Sequence, residues 1–556
     1  MTAVASNSKF LTFARKSART WQQYFNVEGV LPNVELTDEQ DQIVQQNEPQ
    51  MIIQGSAGSG KSLMLIFRLL KILEQEEERQ RVLFVSFNQT LIQDAKKKIH
   101  LSSLYTSIKE KHDIDILTFH HMARKILLQC GYPFLPYISI TPAGIKRHED
   151  LLFRRVHSIL AQFNESKENQ QYEKLFKSHT VKFLIEEFLW MKGNGLITKE
   201  KYLDTSRTGR GNKPLVTGKQ KETIFHLFTK YNQLMSTNYE HREFDMEDFA
   251  LELLNEINNG LADHLRYDHI FVDEMQDLQP MQIKALTGLT KKTITLAGDA
   301  KQQIYKRSPV SFRELGLFIA GKRNRKLKQN FRSTKEIMEL ASQLQFIDVD
   351  NDREDDQIFV RSGPPPEIHY SADAKKMVQY LIKKIKDIYK NHKDATIAVI
   401  HRYSDLHLKN QSNVTVKTFL DREFDLVSTE RYGTRFNYEE IKKPIFFTDP
   451  YSIKGLEFDY VFIIHFDKTH YPNQEAMDEL KANYTKKEMM ESDLYSKDLD
   501  NLLNKEKKLL YVSISRARKE CYLLYEGDTF KKVSPFIRDF DTRSYEANFK
   551  KSIYGK

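Results

Sequence analysis

The chain has 556 residues, 40% of them hydrophobic and 29% charged, which is enough for three or four domains with sizeable cores. Lysine and arginine outnumber aspartate and glutamate by 85 to 76, a net charge of +9 that permits a polyanionic partner without requiring one. Two cysteines, Cys130 and Cys521, exclude a disulfide framework and a cysteine metal quartet and point to a reducing, cytoplasmic setting, while no apolar run approaches the ~20 residues that cross a bilayer.

Residues 1–34 read as an extension. Between Lys9 and Trp21 it carries Lys9, Arg15, Lys16 and Arg19 with no acid, and it lacks the apolar centre of a secretory signal. An amphipathic helix packed on the body or on a partner is the plain reading. Thr37 then caps a short helix holding Gln40, Ile43 and Val44. A glutamine on such a helix is ordinarily exposed. Its amide, by donating and accepting together, also suits an adenine edge.

Met51-Ile52-Ile53 is a strand, and Leu63 to Phe67 lies in a helix. Between them stands Gly55-Ser56-Ala57-Gly58-Ser59-Gly60-Lys61-Ser62, the pattern G-x-x-x-x-G-K-[ST] of a phosphate-binding loop. The glycines let backbone N–H groups turn inward toward phosphate oxygens, and the helix start adds its positive dipole end. Lys61 reaches the β- and γ-phosphates in this arrangement, and Ser62 holds Mg²⁺.

Arg81 to Asn88 and Ile114 to His121 follow as further buried strands, with a helix from Thr90 to Ile99 between them. Alternating strands and helices predict a doubly wound parallel sheet, whose ligands gather beyond the strands' carboxyl ends. Asn88, Thr118, Phe119 and His120 fall there. Residues 126 to 244 break the rhythm with helical periods, as in Lys177 to Trp190 and Lys221 to Met235, and predict a helical insertion. Within it Thr205 to Lys221 is basic and glycine-rich, suited equally to a solvated loop or a phosphate contact.

The sheet resumes at Tyr267 to Val272 and ends in Asp273-Glu274, an acidic pair that holds Mg²⁺ largely through water and polarises an attacking water. Thr293 to Asp299 is another strand, leading to Gln302 and Tyr305. Gln329 to Thr334 opens a helix. A second α/β unit begins near 331, with strands at Glu367–Tyr370, Thr396–Ile400, Tyr460–Ile464 and Cys521–Leu524.

Together Gln40, Gly55 to Ser62, Thr118-Phe119-His120, Asp273-Glu274-Met275-Gln276-Asp277, Gly298-Asp299 with Gln302 and Tyr305, Gln329-Asn330-Phe331-Arg332-Ser333-Thr334, Lys454-Gly455-Leu456-Glu457-Phe458 and Val512 to Arg518 resemble, in order, the motifs of UvrD/Rep-type superfamily 1 helicases. Phe244 to Phe249 is similar to that family's acidic-aromatic element re-entering the first motor domain.

The resemblance implies two RecA-like parallel-sheet domains with ATP and Mg²⁺ between them. Residues 35–125 and 245–330 form the first (1A), 126–244 its helical insertion (1B) and 331–540 the second (2A), with 541–556 a tail. By the same resemblance Gln40 selects adenine, Phe331 stacks on it and Glu457 approaches the ribose. Gln302 and Arg332 sense the γ-phosphate, and Arg516 is the arginine finger. Asn88, Thr118, Phe119, His120, Tyr305, Arg307 and Tyr451 are the candidate nucleic-acid contacts. Arg307 stands where the family usually has tryptophan, Tyr451 where it has histidine. Only 122 residues separate Arg332 from Lys454, so the accessory 2B insertion is expected to be absent or vestigial.

Two readings follow. One is an ATP-dependent translocase and helicase on single-stranded DNA, RNA not excluded, moving 3′→5′ by resemblance and serving repair. The other is a regulatory ATPase that gates a protein partner, such as the nuclease of an antiviral defence complex or an RNA polymerase.

Overall fold

The computed structural model describes residues 31, 36–56, 58–86, 89–132, 135, 142–176, 179–205, 216–237, 244–299, 310–346, 358–402, 411–427, 444–453, 456–482, 484, 489 and 493–554. The basic stretch Lys9–Trp21, and with it Ala57, Asn88, Gln302, Tyr305, Arg307, Lys454 and Gly455, lies outside them.

The first sheet contains β1 (Gln50–Gly55), β2 (Arg81–Ser86), β3 (Asp113–Thr118), β4 (Tyr267–Val272), β5 (Thr290–Gly298) and β6 (Asn324–Leu327). Its order is β3-β2-β4-β5-β1-β6, every neighbouring pair parallel. Both faces are covered, as an all-parallel sheet requires. Ile52 of β1 and Leu83 and Val85 of β2 enter one apolar cluster. Their alternating neighbours Met51, Ile53, Val82 and Phe84 enter the other, the two-residue period of a strand.

A short parallel pair, β7 (Gln329–Asn330) with β8 (Ile358–Phe359), marks the passage to the second lobe. There β9 (Glu367–Ser371), β10 (Ile397–Ile400), β11 (Asp425–Val427), β12 (Pro444–Thr448), β13 (Phe458–Ile464), β14 (Ala517–Glu526) and β15 (Glu546–Ala547) build a seven-stranded sheet. Its order is β11-β12-β10-β13-β14-β9-β15, again wholly parallel. Two parallel α/β lobes joined in tandem match the fold class expected from the strand–helix alternation.

One detail differs from the sequence expectation. The stretch expected as a tail belongs to this lobe: Tyr545 is buried, β15 pairs with β9, and Phe549 and Tyr554 pack against the core. Between Arg402 and Pro444, the described residues form a helix, Gln411–Glu423, and the edge strand β11; Val416, Leu420 and Phe424 join the lobe's own core.

The insertion has a core of its own around Phe183, Leu184, Phe188, Trp190, Tyr202, Phe228 and Tyr231. Its helices include Pro142–Glu165, Val181–Gly193 and Gly218–Thr237. Residues 206–215 of the basic loop lie outside the described residues; Lys221, at its end, is described. Its ammonium donates to the carbonyls of Leu203 and Thr205 at 2.9 and 2.7 Å, closing the end of a short helix.

One buried ionic knot ties the insertion to the first lobe. Lys192 Nζ lies 2.5 Å from Asp245 Oδ2 and 2.8 Å from Asp248 Oδ1, and the Tyr231 hydroxyl donates to Asp245 at 3.1 Å. Burial opposes the charge on Asp245, yet the Lys192 ammonium holds its carboxyl below the usual range. Burial and the neighbouring Asp245 push Glu247 and Asp248 up. Lys192 is therefore the counter-charge for a carboxylate cluster that water does not reach. Lys192→Met is expected to destabilise the chain by about 3–5 kcal/mol, because it strands a buried anion. Thermal or denaturant unfolding of the two proteins, side by side, measures this.

Candidate nucleotide site and nucleic-acid surface

The phosphate loop joins β1 to the helix Lys61–Gln75. Gly58 and Gly60 take φ of +87° and +88°, the left-handed region that favours glycine. At Gly58 the missing Cβ matters twice over, since it would lie 2.5 Å from Arg332 Cβ and 2.7 Å from Asn330 Oδ1. Lys61 is buried, and its ammonium donates to the carbonyls of Gly55 and Ser56, both at 2.9 Å. It thus sits inside the concavity of its own loop, where the resemblance calls for it.

Gln40 is 1% exposed, so the expectation of a solvent-facing helix glutamine fails. The reason is a capping box: Thr37 N–H donates to Gln40 Oε1 at 3.1 Å, and Gln40 N–H donates to Thr37 Oγ1 at 3.4 Å. That fixes the carbonyl end of the amide. The Nε2 end is buried with no hydrogen-bond partner, 3.2 Å from where a Cβ on Gly60 would be. A buried donor left unmade costs about 1–3 kcal/mol, and an adenine edge beside the loop would satisfy it.

The acidic pair follows β4. Asp273 N–H donates to Val85 carbonyl at 2.9 Å, anchoring the strand end, and Asp273 Oδ1 accepts from Glu274 N–H at 3.1 Å. Glu274 adopts φ +52° and ψ +48°, a left-handed backbone that is unusual outside glycine and asparagine. Its carboxylate accepts from Gln276 Nε2, and Gln276 Oε1 accepts from Asp299 N–H at 3.1 Å. Gln276 therefore connects the base candidate to the end of β5. Burial first, and then the charge of Glu274, push Asp273 up to about 7; hydrogen bonding from Ser62 and the Lys61 ammonium pull the other way. Two adjacent buried carboxylates with a serine hydroxyl suit Mg²⁺, whose charge would offset their repulsion. Ser62 and Asp273 are the residues that would hold it.

The second lobe meets this cradle directly. Phe331 N–H donates to Gly58 carbonyl at 3.1 Å. Asn330 is fully buried; its Oδ1 accepts from the N–H of Arg332 at 3.1 Å and of Ser333 at 3.3 Å, and its Nδ2 reaches Ser56 Oγ at 3.5 Å. Arg332 forms an ion pair with Glu457. Burial works against the charge of Glu457, but Arg332, Arg518, Lys98 and Arg516 hold it below the usual glutamate range.

Arg516 is 1% exposed and held by its own lobe: Nε donates to Val512 carbonyl at 2.9 Å, and the terminal nitrogens to Ser515 Oγ at 3.0 Å and Leu456 carbonyl at 3.4 Å. Burial and then the adjacent Arg332 lower its basicity, and the charges of Glu274 and Glu457 counter them. Arg516 of one lobe and Glu274 of the other thus share one electrostatic environment. Arg518 stays partly exposed, so the two arginines of that segment do face differently.

The nucleic-acid candidates separate. β3 stops at Thr118, and Phe119, His120 and His121 begin the helix Phe119–Gln129. That start turns Phe119 into the core at 1% exposure, against Met122 and Phe249 among others, where it offers no face to a base. Thr118 is also buried, 3.1 Å from His121 Nδ1. His120 donates from Nε2 to Met246 carbonyl at 3.2 Å, and burial brings it down to about 4, a neutral imidazole resting on the acidic-aromatic element. Tyr451 is 41% exposed, with Lys505 Nζ 5.8 Å from its ring centre. The charge of Glu186, on the insertion, also acts on Lys505.

Residues 36–311 match the UvrD/REP helicase N-terminal domain, and 451–527 match the UvrD-like helicase C-terminal domain. The chain belongs to the UvrD-like helicase family. It is 27% identical over 389 residues to a probable DNA helicase II homolog of Mycoplasma capricolum, covering 67% of this chain and 48% of that protein. It is 22% identical to the ATP-dependent DNA helicase PcrA of Leuconostoc citreum over 60% of this chain and 42% of that one. With DNA helicase IV of Escherichia coli it shares 23% identity, over 90% of this chain and 69% of the relative. The chain spans about half the length of the first two.

Within this UvrD-like frame, sequence reasoning missed four supporting residues. Asn330 and Ser333 lie in a recognised motif, but their work is done by contacts distant in sequence: Ser333 Oγ donates to Ala517 carbonyl at 2.7 Å, beside Arg516. Gln276 braces Glu274. Lys98, 2.5 Å from Asp94, also contributes charge to the Arg332–Glu457 pair. Nothing in a lone helix lysine signals that.

Two outcomes test this site. Gln40→Ala is expected to raise the KM for ATP about tenfold and to narrow the preference for ATP over GTP, measured by steady-state turnover with both nucleotides. Asp273, raised in the folded chain, stabilises it while protonated, and that contribution fades as pH climbs from the ordinary carboxylate range through about 7. Binding of Mg²⁺-nucleotide at pH 7 should accordingly release a proton. Calorimetry in buffers of different ionisation enthalpy should detect the release, and Asp273→Asn should abolish it.

Proposed function

We propose that the chain is an ATP-dependent translocase and helicase on single-stranded DNA that moves 3′→5′ and hydrolyses ATP between its two lobes. The observation that carries this reading is the composite site. The phosphate loop and acidic pair come from one lobe, Arg332 and Arg516 from the other, and Arg516 lies within electrostatic reach of Glu274. The relatives' description as DNA helicases supports DNA over RNA.

In this reading Gln40 orients the base and Phe331 packs over it, with Glu457 close to the ribose. Gly55, Ser56, Ala57, Gly58, Ser59 and Gly60 cradle the phosphates. Lys61 leaves its carbonyl partners for the β- and γ-oxygens. Ser62 and Asp273 would hold Mg²⁺, which would supply positive charge to those oxygens. Glu274 accepts a proton from the attacking water as its oxygen bonds to the γ-phosphorus and the bond to ADP breaks. Arg332, Gln302 and Arg516 meet the charge that builds on the transferred group, a contribution of about 10³–10⁵ in rate for a finger. Arg516 is already pinned by three bonds to its own lobe, so it approaches as that lobe approaches, and hydrolysis releases it. Lobe closure and opening then drive stepping along a strand. Asn88, His120, Tyr305, Arg307 and Tyr451 remain the residues proposed to line that strand; Thr118 and Phe119, both buried, support them from below.

A partner-dependent variant has an observation of its own. Residues 403–443 are too few for an independent domain, and 411–427 are already used by the second sheet. Strand separation then relies on a partner, such as a nuclease or a polymerase, and the isolated chain translocates without efficient unwinding.

ATPase activity is expected to rise at least tenfold with single-stranded DNA; equal turnover with and without nucleic acid would sink the motor reading. Lys61→Ala should abolish turnover. Glu274→Gln should keep nucleotide binding while slowing hydrolysis at least about 100-fold, measured by equilibrium binding and single-turnover assays. Robust unwinding by the isolated chain would remove the need for a partner.

A further inference from the structure

Just past the carboxyl end of β13 the chain reads His465-Phe466-Asp467-Lys468-Thr469-His470, away from every residue assigned above. His465 is 3% exposed and Asp467 8%, and both lie in the interior of the second lobe. One ligand atom from each of His465, Asp467 and His470 lies within 4.8 Å of the other two. The two imidazoles stack with ring centres 4.7 Å apart. His470 Nδ1 is 2.8 and 3.0 Å from the two Asp467 oxygens, and Asp467 Oδ1 also accepts from the N–H of Thr469 at 2.8 Å and of His470 at 3.1 Å.

An aspartate–histidine hydrogen bond accounts for that pair alone. It leaves a second carboxylate, Glu526 at the end of β14, whose Oε2 is buried with no hydrogen-bond partner. Burial raises Glu526, and the charges of Asp467 and Asp373 raise it further, while His470 pulls it down. Two imidazoles and a carboxylate gather past the end of β13, and a second carboxylate within their electrostatic reach ends the adjacent β14. Lys468 and Lys532 approach through their backbones, which join by a hydrogen bond of 3.0 Å. Arg402, the nearest buried guanidinium, is engaged by Glu506.

We propose that His465, Asp467 and His470 bind one divalent first-row transition ion, with Glu526 alongside as the second negative charge. Imidazole and carboxylate together suit Zn²⁺ and select against Mg²⁺, which keeps oxygen ligands and its own waters. Around a tetrahedral zinc, ligand atoms stand about 3.3 Å apart, so the existing separations close by side-chain rotation. Three protein ligands leave a fourth tetrahedral position; with Glu526 in it the site is closed and structural, and with water in it the site stays open. It clasps the end of β13 to β14 and, through Asp467, to Val533, its partner in an isolated bridge. The two central strands are thereby fastened at their carboxyl ends, whereas Glu457 and Arg516 precede the amino ends of the same strands.

The test uses the full chain without a histidine tag, stripped by chelator and titrated with Zn²⁺ in excess Mg²⁺. The expected result is one Zn²⁺ per chain, a higher unfolding temperature on binding, and a low-coordinate visible spectrum with Co²⁺ in its place. The double variant His465→Asn with His470→Asn should lose all three. Asp467→Asn, which keeps the turn's acceptor, should fold as the parent and weaken Zn²⁺ at least about tenfold. The proposal is overturned if the parent chain binds no Zn²⁺, or if Asp467→Asn binds it as tightly as the parent. Should the double variant fail to fold, the Asp467→Asn affinity alone decides.

Discussion

The seam between Gly58 and the Asn330–Arg332 turn is the constraint on which the architecture depends. A backbone hydrogen bond from Phe331 to Gly58 brings a turn of one lobe onto the phosphate loop of the other. There is no room for a side chain between them, since even a methyl carbon would sit 2.5 Å from Arg332 Cβ. The glycine thus serves two purposes: its left-handed backbone shapes the loop, and its bareness admits the neighbouring lobe. Asn330 completes the contact from below by accepting the two N–H groups that would otherwise point into a buried turn.

Charge then organises what surrounds the seam. Arg332, Arg516, Arg518 and Lys98 gather around Glu457, and that carboxylate is held ionised although burial opposes it. Glu457 is the counter-ion that lets several cations wait together in a poorly solvated cleft. In the function proposed above, a triphosphate entering the cleft would compete for the same cations, coupling nucleotide binding to repartnering of Glu457. On the opposite wall the arrangement is reversed: Asp273 and Glu274 crowd each other, and Asp273 gives up its proton reluctantly. The cleft is therefore positive on one side and negative on the other. In the function proposed above, phosphate oxygens would face the first and a divalent cation the second.

Further from the cleft, rigidity comes from buried polar knots rather than from apolar packing alone. Lys192 with Asp245 and Asp248 fixes the insertion at the point where the chain re-enters the first sheet, and His120 rests on the same element. The end of β3 and the insertion are thereby held as one piece. Tyr451 belongs to the other lobe and is exposed beside Lys505.

Sequence alone determined the elements whose signal is local. The phosphate loop, the strand ending in Asp273-Glu274 and the alternation that makes two parallel sheets are all written in neighbouring residues, because backbone torsion and strand periodicity depend on them. The same local reading misjudged Phe119 and the stretch after 540, and it did not foresee the burial of Gln40 by a capping box under the loop. Phe119 is turned inward because the helix begins one residue after Thr118, and β15, next to Tyr545, pairs with β9 at the sheet edge. Only the tertiary structure could decide those, and likewise the placing of Asn330, Ser333, Gln276 and Lys98, since their partners lie on other elements. Burial and long-range charge are properties of the assembled chain: a residue's type states what it can donate or accept, and packing chooses which group stands opposite.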